Sequence, residues 1–206
     1  MGEPAYDALL CDLDGVVRFY DLAEVHALEQ DAGLARGSTM AVAFAPETDL
    51  PLLLGRISRD EWVAAIAGGL AGQVTAMQAQ ALARAFGYAP SSVDAEVVAL
   101  LRQARERMPV VIVTNATVWL DDDLARLGLD DFTGSVVNSS RVGVAKPDPR
   151  IYRIAAAEAG VPPGRCLFVD DTEENVAAAG ACGMLGVVHR DASDLRRALA
   201  DHGGLR

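Results

Sequence analysis

The sequence contains little cysteine, few aromatic residues and few positive charges. Its three cysteines, Cys11, Cys166 and Cys182, include no CxxC pair, which argues against a disulfide framework and is typical of a reducing compartment. Lys and Arg together number 18, against 29 Asp and Glu, and the net charge is −11. So acidic a protein repels phosphate backbones and anionic lipid, so we expect neither nucleic acid nor a membrane surface as a partner.

Long apolar runs are also missing. The longest weakly polar stretch, residues 62–72, is shorter than the roughly 18 residues that a membrane span requires. No basic segment precedes the first apolar stretch, so the start of the chain does not resemble a signal peptide. Together with the cysteine usage, these absences predict a cytoplasmic protein.

What the chain does contain is an ordinary globular composition, with 51% hydrophobic and 23% charged residues over 206 positions. That length suits one domain carrying a sizeable insertion. Five short apolar runs have the length of strands, and their hydrophobicity is continuous rather than alternating: residues 8–11, 109–113, 135–137, 166–169 and 184–188. Continuous runs are typical of strands buried on both faces, and helical patterns lie between them. We therefore predict an α/β fold with a Rossmann-like parallel sheet flanked by helices.

One connection is too long for this fold. Residues 13–108 separate the first two strands, whereas a crossover requires only about a dozen residues. Residues 90–108 predict a crossover helix. The remainder shows little strand signal and predicts three helices, over residues 22–31, 61–70 and 75–86. We predict a core of residues 1–17 and 90–206 with a small α-helical cap domain inserted over 18–89.

Polar residues follow several of the predicted strands, where ligands bind in open α/β sheets. These residues are Asp12, Asp14, Thr114, Lys146, Asp170 and Asp171. So many carboxylates at one edge are costly unless a cation neutralises them, and an oxygen-only set suits Mg²⁺. With a lysine and a hydroxyl beside them, they favour phosphoryl transfer, in which an Asp can act as covalent nucleophile.

Each of these features also has an ordinary explanation when it is taken alone. A DxD sequence is common on surfaces, Thr114 and residues 170–172 could merely cap helices, and Lys146 could be a solvated loop lysine. What favours a site is that all of them fall at strand ends of one predicted sheet.

Four segments resemble the motifs of one superfamily, the haloacid dehalogenase-like (HAD) hydrolases. Residues 12–16 (DLDGV) resemble its motif I, 111–115 (VIVTN) its motif II, 143–152 (GVAKPDPRIY) its motif III region and 168–176 (FVDDTEENV) its motif IV. The insertion between motifs I and II lies where the family places its helical C1-type cap. The resemblance covers the core but not the insertion.

The resemblance implies a role for each matching residue. Asp12 would attack phosphorus and form an aspartyl-phosphate, while Asp14 would protonate the leaving group and then activate water. Thr114 and the backbone N–H of Asn115 would hold phosphate oxygens, and Lys146 would bridge nucleophile and phosphate.

The resemblance also implies a Mg²⁺ site. Its ligands would be Asp12, the backbone carbonyl of Asp14, and the pair Asp170 and Asp171. Asp171 is the preferred direct ligand of this pair, and Asp170 lies close to the metal or also binds it.

Asp14 discriminates between the chemistries of this family. Dehalogenases lack an acid at this position, whereas an alkoxide leaving phosphorus needs a proton. The sequence therefore predicts a phosphomonoester hydrolase acting on a small phosphorylated metabolite. A phosphomutase and a non-enzymatic phospho-ligand-binding relative are the alternatives. Phosphonate cleavage is disfavoured because Lys146 is the only lysine. In a receiver domain the acidic pair would lie on the first strand instead.

Other candidate residues have weaker support. Arg18 could face the phosphate or be a solvated hinge arginine. Arg56 and Trp62 could line a substrate pocket, although a surface arginine and a core tryptophan are the simpler interpretation. The histidines are scattered and suggest neither a zinc site nor a triad; they are His26, His189 and His202. Cys11 is expected to be packed.

Overall fold

The computed structural model describes residues 5–201. Within that range the strands are β1 (Ala8–Cys11), β2 (Arg18–Tyr20), β3 (Ser91–Val93), β4 (Val110–Thr114), β5 (Val136–Asn138), β6 (Cys166–Asp170) and β7 (Leu185–Val188). The α-helices are α1 (Ala23–Asp31), α2 (Ser38–Ala43), α3 (Pro46–Leu53), α4 (Arg59–Gly69), α5 (Ala76–Gly87), α6 (Ala95–Arg105), α7 (Leu120–Arg126), α8 (Ser139–Val142), α9 (Pro149–Glu158), α10 (Glu173–Ala181) and α11 (Ala192–Asp201). Short 3₁₀ helices span Asp130–Ser135 and Pro163–Arg165.

Five of the strands form one parallel sheet in the order β5-β4-β1-β6-β7. The central strand β1 pairs with β4 and β6, so that Leu10 lies opposite both Val111 and Phe168. These three strands are buried along their whole length, as expected for a sheet covered on both faces. The predicted fold class is confirmed, and each predicted strand lies within one residue of the observed one at either end.

Alternation along the strands divides the core into two layers. Leu9 packs on one side of the sheet in a cluster that includes Leu101 of α6. Leu10 belongs to the other layer, where the ring of Tyr152 from α9 meets Phe168 edge-on at 5.2 Å between centroids. The two layers hold β1 at the centre of the sheet and so fix the position of the residues that follow it.

Two core helices differ from the prediction. The crossover helix α6 begins at Ala95 rather than near residue 90, because Ser91–Val93 pairs with β2 in a two-stranded sheet. The pattern of residues 116–127, which ends before Gly128, also predicts a helix, but α7 begins only at Leu120. Before it, the N–H of Ala116 donates to the hydroxyl of Ser139 (3.1 Å), so this segment bonds to the first residue of α8 instead of starting a helix.

The chain separates into two compact units, one comprising Met1–Phe19 and Val93–Arg206 and the other Tyr20–Ser92. The predicted boundaries at residues 18 and 89 lie two and three residues earlier. The second unit contains α1–α5, including the short helices α2 and α3 that the sequence analysis missed. Both begin without a side-chain capping hydrogen bond, whereas α4 and α5 begin with complete capping boxes that the sequence displays.

Trp62 belongs to the core of the helical unit. Its ring lies 5.9 Å from that of Phe86 in an edge-to-face contact, and Phe86 makes a second such contact with Phe44 at 5.7 Å. Arg56 is exposed. These positions support the simpler interpretation of both residues as core tryptophan and surface arginine.

No helix within residues 5–201 has both the length and the apolar character needed to cross a bilayer.

We expect the Asp94→Ala variant to lose about 1 kcal/mol of unfolding free energy, because Asp94 caps α6. Its carboxylate accepts hydrogen bonds from the N–H groups of Glu96 (2.8 Å) and Val97 (3.1 Å). Asp94→Asn, which keeps a capping oxygen, is the matched control and should stay within a few tenths of a kcal/mol of wild type. Urea denaturation measures the difference. Equal losses in the two variants would contradict the capping role.

Candidate active site

Three neighbouring parallel strands bring polar residues to the same edge of the sheet. Asp12 follows β1, Thr114 ends β4 and Asp170 ends β6. The N–H of Asp12 donates to the carbonyl of Val169 (2.8 Å), so the pairing between β1 and β6 extends to this residue. The sheet therefore brings side chains from distant parts of the sequence together at its carboxyl edge, as parallel pairing requires.

Lys146 is the centre of this cluster. Its ammonium lies 2.7 Å from a carboxylate oxygen of Asp12 and 2.7 Å from one of Asp170, and all three residues are buried. Burial alone would lower the pKa of Lys146, but the two carboxylates raise it above its ordinary value, so the ammonium stays charged. Burial raises the pKa of Asp12, and the Lys146 ammonium opposes that shift. Lys146 is thus a buried ion-paired residue, and the solvated-loop interpretation is wrong.

Asn115 holds the loop that carries Lys146. Its side-chain amide donates to the carbonyl of Lys146 (3.0 Å), and its side-chain oxygen accepts from the N–H of the same residue (2.7 Å). The Lys146–Pro147 peptide is cis. The motif resemblance implies a role for Asn115 only through its backbone N–H, and this second function of its side chain was not predicted.

Asp170 is fully buried, and both of its oxygens accept hydrogen bonds from the protein. The donors besides Lys146 are the N–H of Thr172 (2.9 Å) and the amide of Asn175 (3.0 and 3.2 Å). Asn175 lies within the fourth motif, but its residue type alone gave no reason to assign it a partner. These contacts fix the orientation of the Asp170 carboxylate.

Asp171, in contrast, is exposed and lies against the loop that follows β1. It accepts a hydrogen bond from the Thr172 hydroxyl (3.3 Å). Gly15 makes this approach feasible: it has φ +83°, and a Cβ placed on it would lie 2.2 Å from Oδ2 of Asp171. Only glycine both adopts this backbone conformation readily and leaves room for the carboxylate.

The donor set fits a hard divalent cation. One carboxylate oxygen from each of Asp12, Asp170 and Asp171 lies within 4.8 Å of the other two. Three carboxylates and the Lys146 ammonium leave two negative charges in excess, which a divalent ion would neutralise. Oxygen ligands alone, arranged with an exposed member, suit Mg²⁺. Within residues 5–201, His26 and His189 do not belong to this group, and His202 lies outside the described residues.

Arg18 forms a salt bridge with the carboxylate of Asp14. Its Nε lies 2.5 Å from Oδ1 and its Nη2 2.8 Å from Oδ2, which makes the pair bidentate. Nη1 reaches Oδ2 of Asp123 on α7 at 3.3 Å. Arg18 is buried, so the interpretation of it as a solvated hinge arginine is wrong. Asp123 is a partner that the sequence analysis did not identify.

Two further groups line this end of the sheet. The hydroxyl of Thr114 is buried and has no hydrogen-bond partner among the described residues. The thiol of Cys11 donates to the carbonyl of Asp12 (3.2 Å), and burial raises its pKa well above the usual range. Cys11 is therefore a packed, protonated thiol, as the sequence predicts, whereas Thr114 retains hydrogen-bonding capacity for a ligand.

Comparison with known proteins identifies relatives of the chain. The family model for the haloacid dehalogenase-like hydrolases matches residues 6–183. A phosphatase of Mycobacterium tuberculosis is 37% identical over 87 residues, which cover 41% of this chain and 40% of the phosphatase. The chain spans between 16% and 40% of the length of these curated relatives.

Solved structures share the fold. A HAD family enzyme from Bacteroides thetaiotaomicron, in complex with magnesium and inorganic phosphate, is similar with a TM-score of 0.67 at 21% identity, over 90% of this chain and 94% of that enzyme. An L-2-haloacid dehalogenase from Xanthobacter autotrophicus has a TM-score of 0.62 at 20% identity, over 98% of this chain and 85% of the dehalogenase. Because both structures are similar to this chain, the fold does not distinguish reaction at a phosphate group from dehalogenation. Only the residues of the site can distinguish them.

We expect Gly15→Ala to weaken Mg²⁺ binding at least tenfold, because the added methyl group would displace the Asp171 carboxylate. The matched control is Gly128→Ala. Gly128 also has a positive φ (+69°), but a Cβ there meets nothing within 4 Å. Both variants should lose about 1–2 kcal/mol of unfolding free energy from backbone strain. Calorimetric Mg²⁺ titration and urea denaturation test this, and unchanged Mg²⁺ affinity in Gly15→Ala would contradict it.

Proposed function

The chain belongs to the haloacid dehalogenase-like hydrolase family, and within it we propose a Mg²⁺-dependent phosphomonoester hydrolase acting on a small phosphorylated metabolite. One observation carries the proposal: the buried Asp12 carboxylate lies beside the Lys146 ammonium and is followed two residues later by a second carboxylate, Asp14, whose side chain is 36% exposed. A nucleophile and a separate acid are what phosphate ester cleavage requires.

The first step is phosphoryl transfer to the protein. An oxygen of Asp12 attacks phosphorus, the bond from phosphorus to the ester oxygen breaks, and Asp14 donates a proton to the departing alkoxide. The Thr114 hydroxyl and the Asn115 N–H hold phosphate oxygens. The Lys146 ammonium offsets the negative charge that nucleophile and phosphate share. The orphaned hydroxyl of Thr114 supports this assignment.

The second step regenerates Asp12. A water molecule attacks the phosphorus of the aspartyl-phosphate and gives a proton to Asp14, and the bond from phosphorus to Asp12 breaks to release inorganic phosphate. Asp14 thus acts as acid and then as base, and the proton balance closes over the cycle.

Mg²⁺, when bound, supplies Lewis-acid stabilisation of the phosphoryl group. Asp12, the backbone carbonyl of Asp14 and Asp171 would hold it. We assign the direct role in the acidic pair to Asp171, because Asp170 already accepts hydrogen bonds from Lys146, Thr172 and Asn175. Asp170 then holds Lys146 in place beside the metal ligands.

Asp14 favours the phosphatase over a dehalogenase, since displacement of halide from carbon requires no proton for the leaving group. The phosphatase relative from Mycobacterium tuberculosis supports the same assignment. A phosphomutase would use the same residues and pass the phosphoryl group to a sugar hydroxyl instead of to water. Release of inorganic phosphate distinguishes the two.

The charge and the cysteines support the remaining parts of the proposal. A net charge of −11 disfavours polyanionic partners, so the substrate is a small phosphate ester rather than a nucleic acid. Cys11, Cys166 and Cys182 are free, which supports a location in the reducing cytoplasm. The role of the helical unit as a cap remains a prediction from the sequence.

We expect wild-type protein to release inorganic phosphate from p-nitrophenyl phosphate only with Mg²⁺ present, and Asp12→Asn to lower kcat at least about 10³-fold. Removal of Mg²⁺ with a chelator should abolish turnover, and its return should restore it. The control is Asp122→Asn, which changes an exposed aspartate of α7 and should leave kcat within twofold of wild type. Turnover that survives Asp12→Asn, or that is independent of metal, would refute the mechanism.

We expect Thr114→Val to raise the KM for p-nitrophenyl phosphate about tenfold, the value of one hydrogen bond, without lowering the unfolding free energy. The substitution exchanges an unpartnered buried hydroxyl for a methyl group of similar size. Thr114→Ser should show the reverse pattern, with KM retained and stability reduced by the lost methyl group. Steady-state kinetics and urea denaturation measure both, and a wild-type KM in Thr114→Val would remove Thr114 from the phosphate site.

A further inference from the structure

The loop after β1 folds back on itself and places Arg18 beside Asp14. The N–H groups of Val17 and Arg18 both donate to the carbonyl of Leu13 (2.8 and 2.7 Å), and the N–H of Gly15 donates to the carbonyl of Arg18 (2.9 Å). Backbone and side chain thus close the same five-residue turn. The backbone hydrogen bonds of the loop therefore place the Arg18 guanidinium next to the Asp14 carboxylate.

A second carboxylate holds Arg18 from the other side. Nη1 of Arg18 contacts Asp123, whose side chain is 14% exposed and also pairs with Arg126. Arg18 itself has a side-chain exposure of 4%. A buried guanidinium with one nitrogen on Asp123 and two on Asp14 is fixed in orientation, since planar bidentate pairs specify geometry as well as charge.

We propose that Arg18 is a positioning residue that holds the Asp14 carboxylate in place for proton transfer, and that Asp123 in turn holds Arg18. This inference rests on the proposed function, in which Asp14 is the acid and base. Proton transfer requires the carboxyl oxygen to lie within about 2.6–3.2 Å of its target. The guanidinium occupies one lone pair on each Asp14 oxygen, so the proton is carried on a second lone pair that the bidentate contact leaves open. Asp14 is partly exposed and follows a strand end, so its side chain would otherwise be free to rotate among several rotamers.

The same contacts argue against a direct role of Arg18 in binding substrate. Its Nε and Nη2 lie on Asp14 and its Nη1 on Asp123, and the residue is buried. A substrate phosphate would have to displace one of two carboxylates to reach this guanidinium. Arg18 therefore acts through Asp14 and not on the phosphate itself.

The experiment compares kcat/KM for phenyl phosphate and p-nitrophenyl phosphate. Phenolate is the more basic leaving group and depends more on a proton from Asp14, whereas p-nitrophenolate leaves readily without one. We expect Arg18→Met to lower kcat/KM for phenyl phosphate by about 30- to 100-fold, as a misplaced acid would, and for p-nitrophenyl phosphate less than fivefold. Arg18→Lys, which can hold one oxygen, should recover part of the loss.

Matched variants separate this role from a structural one. Arg126→Met removes an arginine that contacts Asp123 but not Asp14, and it should leave the ratio of the two kcat/KM values within twofold of wild type. In the Asp14→Asn background, Arg18→Met should cost no more than a further twofold, because the residue it positions is already gone. If Arg18→Met does not fold, Asp123→Asn decides, with an expected 3- to 10-fold selective loss for phenyl phosphate.

The outcomes distinguish this inference from the proposed function. Full activity of Asp14→Asn toward phenyl phosphate would overturn the role of Asp14 and with it the proposal for Arg18. If Asp14→Asn loses activity toward phenyl phosphate but Arg18→Met leaves the ratio of the two kcat/KM values unchanged, the positioning role alone is overturned. Where Arg18→Met does not fold, an unchanged ratio in Asp123→Asn overturns it in the same way. A raised KM in Arg18→Met that persists in the Asp14→Asn background would show that Arg18 binds substrate directly, which also overturns it.

Discussion

The buried ion pairs of Lys146 are the interaction on which the rest of the site depends. An ammonium withdrawn from water is stable only with carboxylates and hydrogen bonds around it, and removing one partner from such a pair costs about 3–5 kcal/mol. Asp12 and Asp170 supply the carboxylates from two neighbouring strand ends. Asn115 fixes the backbone of Lys146 from the end of a third strand. The parallel order of β4, β1 and β6 is therefore also what makes the buried charge tolerable.

The three neighbouring carboxylates differ in burial and in their contacts. Asp170 is fully buried and bonded to three protein donors, so it acts as a fixed counter-ion. Asp12 contacts the same lysine and is also buried, whereas Asp171 faces solvent. Burial and hydrogen bonding thus place three chemically identical side chains in different environments, from the enclosed Asp170 to the exposed Asp171.

Much of the fold could be predicted from the sequence because its signals are local. Continuous apolar runs mark β4 and β6, and a Ser58-to-Glu61 capping box marks the start of α4. The catalytic candidates other than Lys146, which lies in the loop between α8 and α9, could be predicted because they follow strands, and parallel strands meet at one edge. Sequence patterns failed to predict helices and strands that are short or that depend on pairing with a distant part of the chain. Thus α2 begins without a side-chain cap, and Val93 has the hydrophobicity of a helix face but lies in β3.

The contacts that orient the site could not be predicted, because they depend on where side chains point after folding. Asp123 lies 105 residues from Arg18, and no spacing in the sequence connects them. Even the pair of Asp14 and Arg18 was not evident: a separation of four residues implies contact on a helix, where side chains stack on one face, but carries no such meaning in a loop. The pair forms because two N–H groups converge on the Leu13 carbonyl and turn the chain back. A resemblance in motifs therefore points to candidate reacting residues, while the geometry of one loop determines how Asp14, the proposed acid, is held.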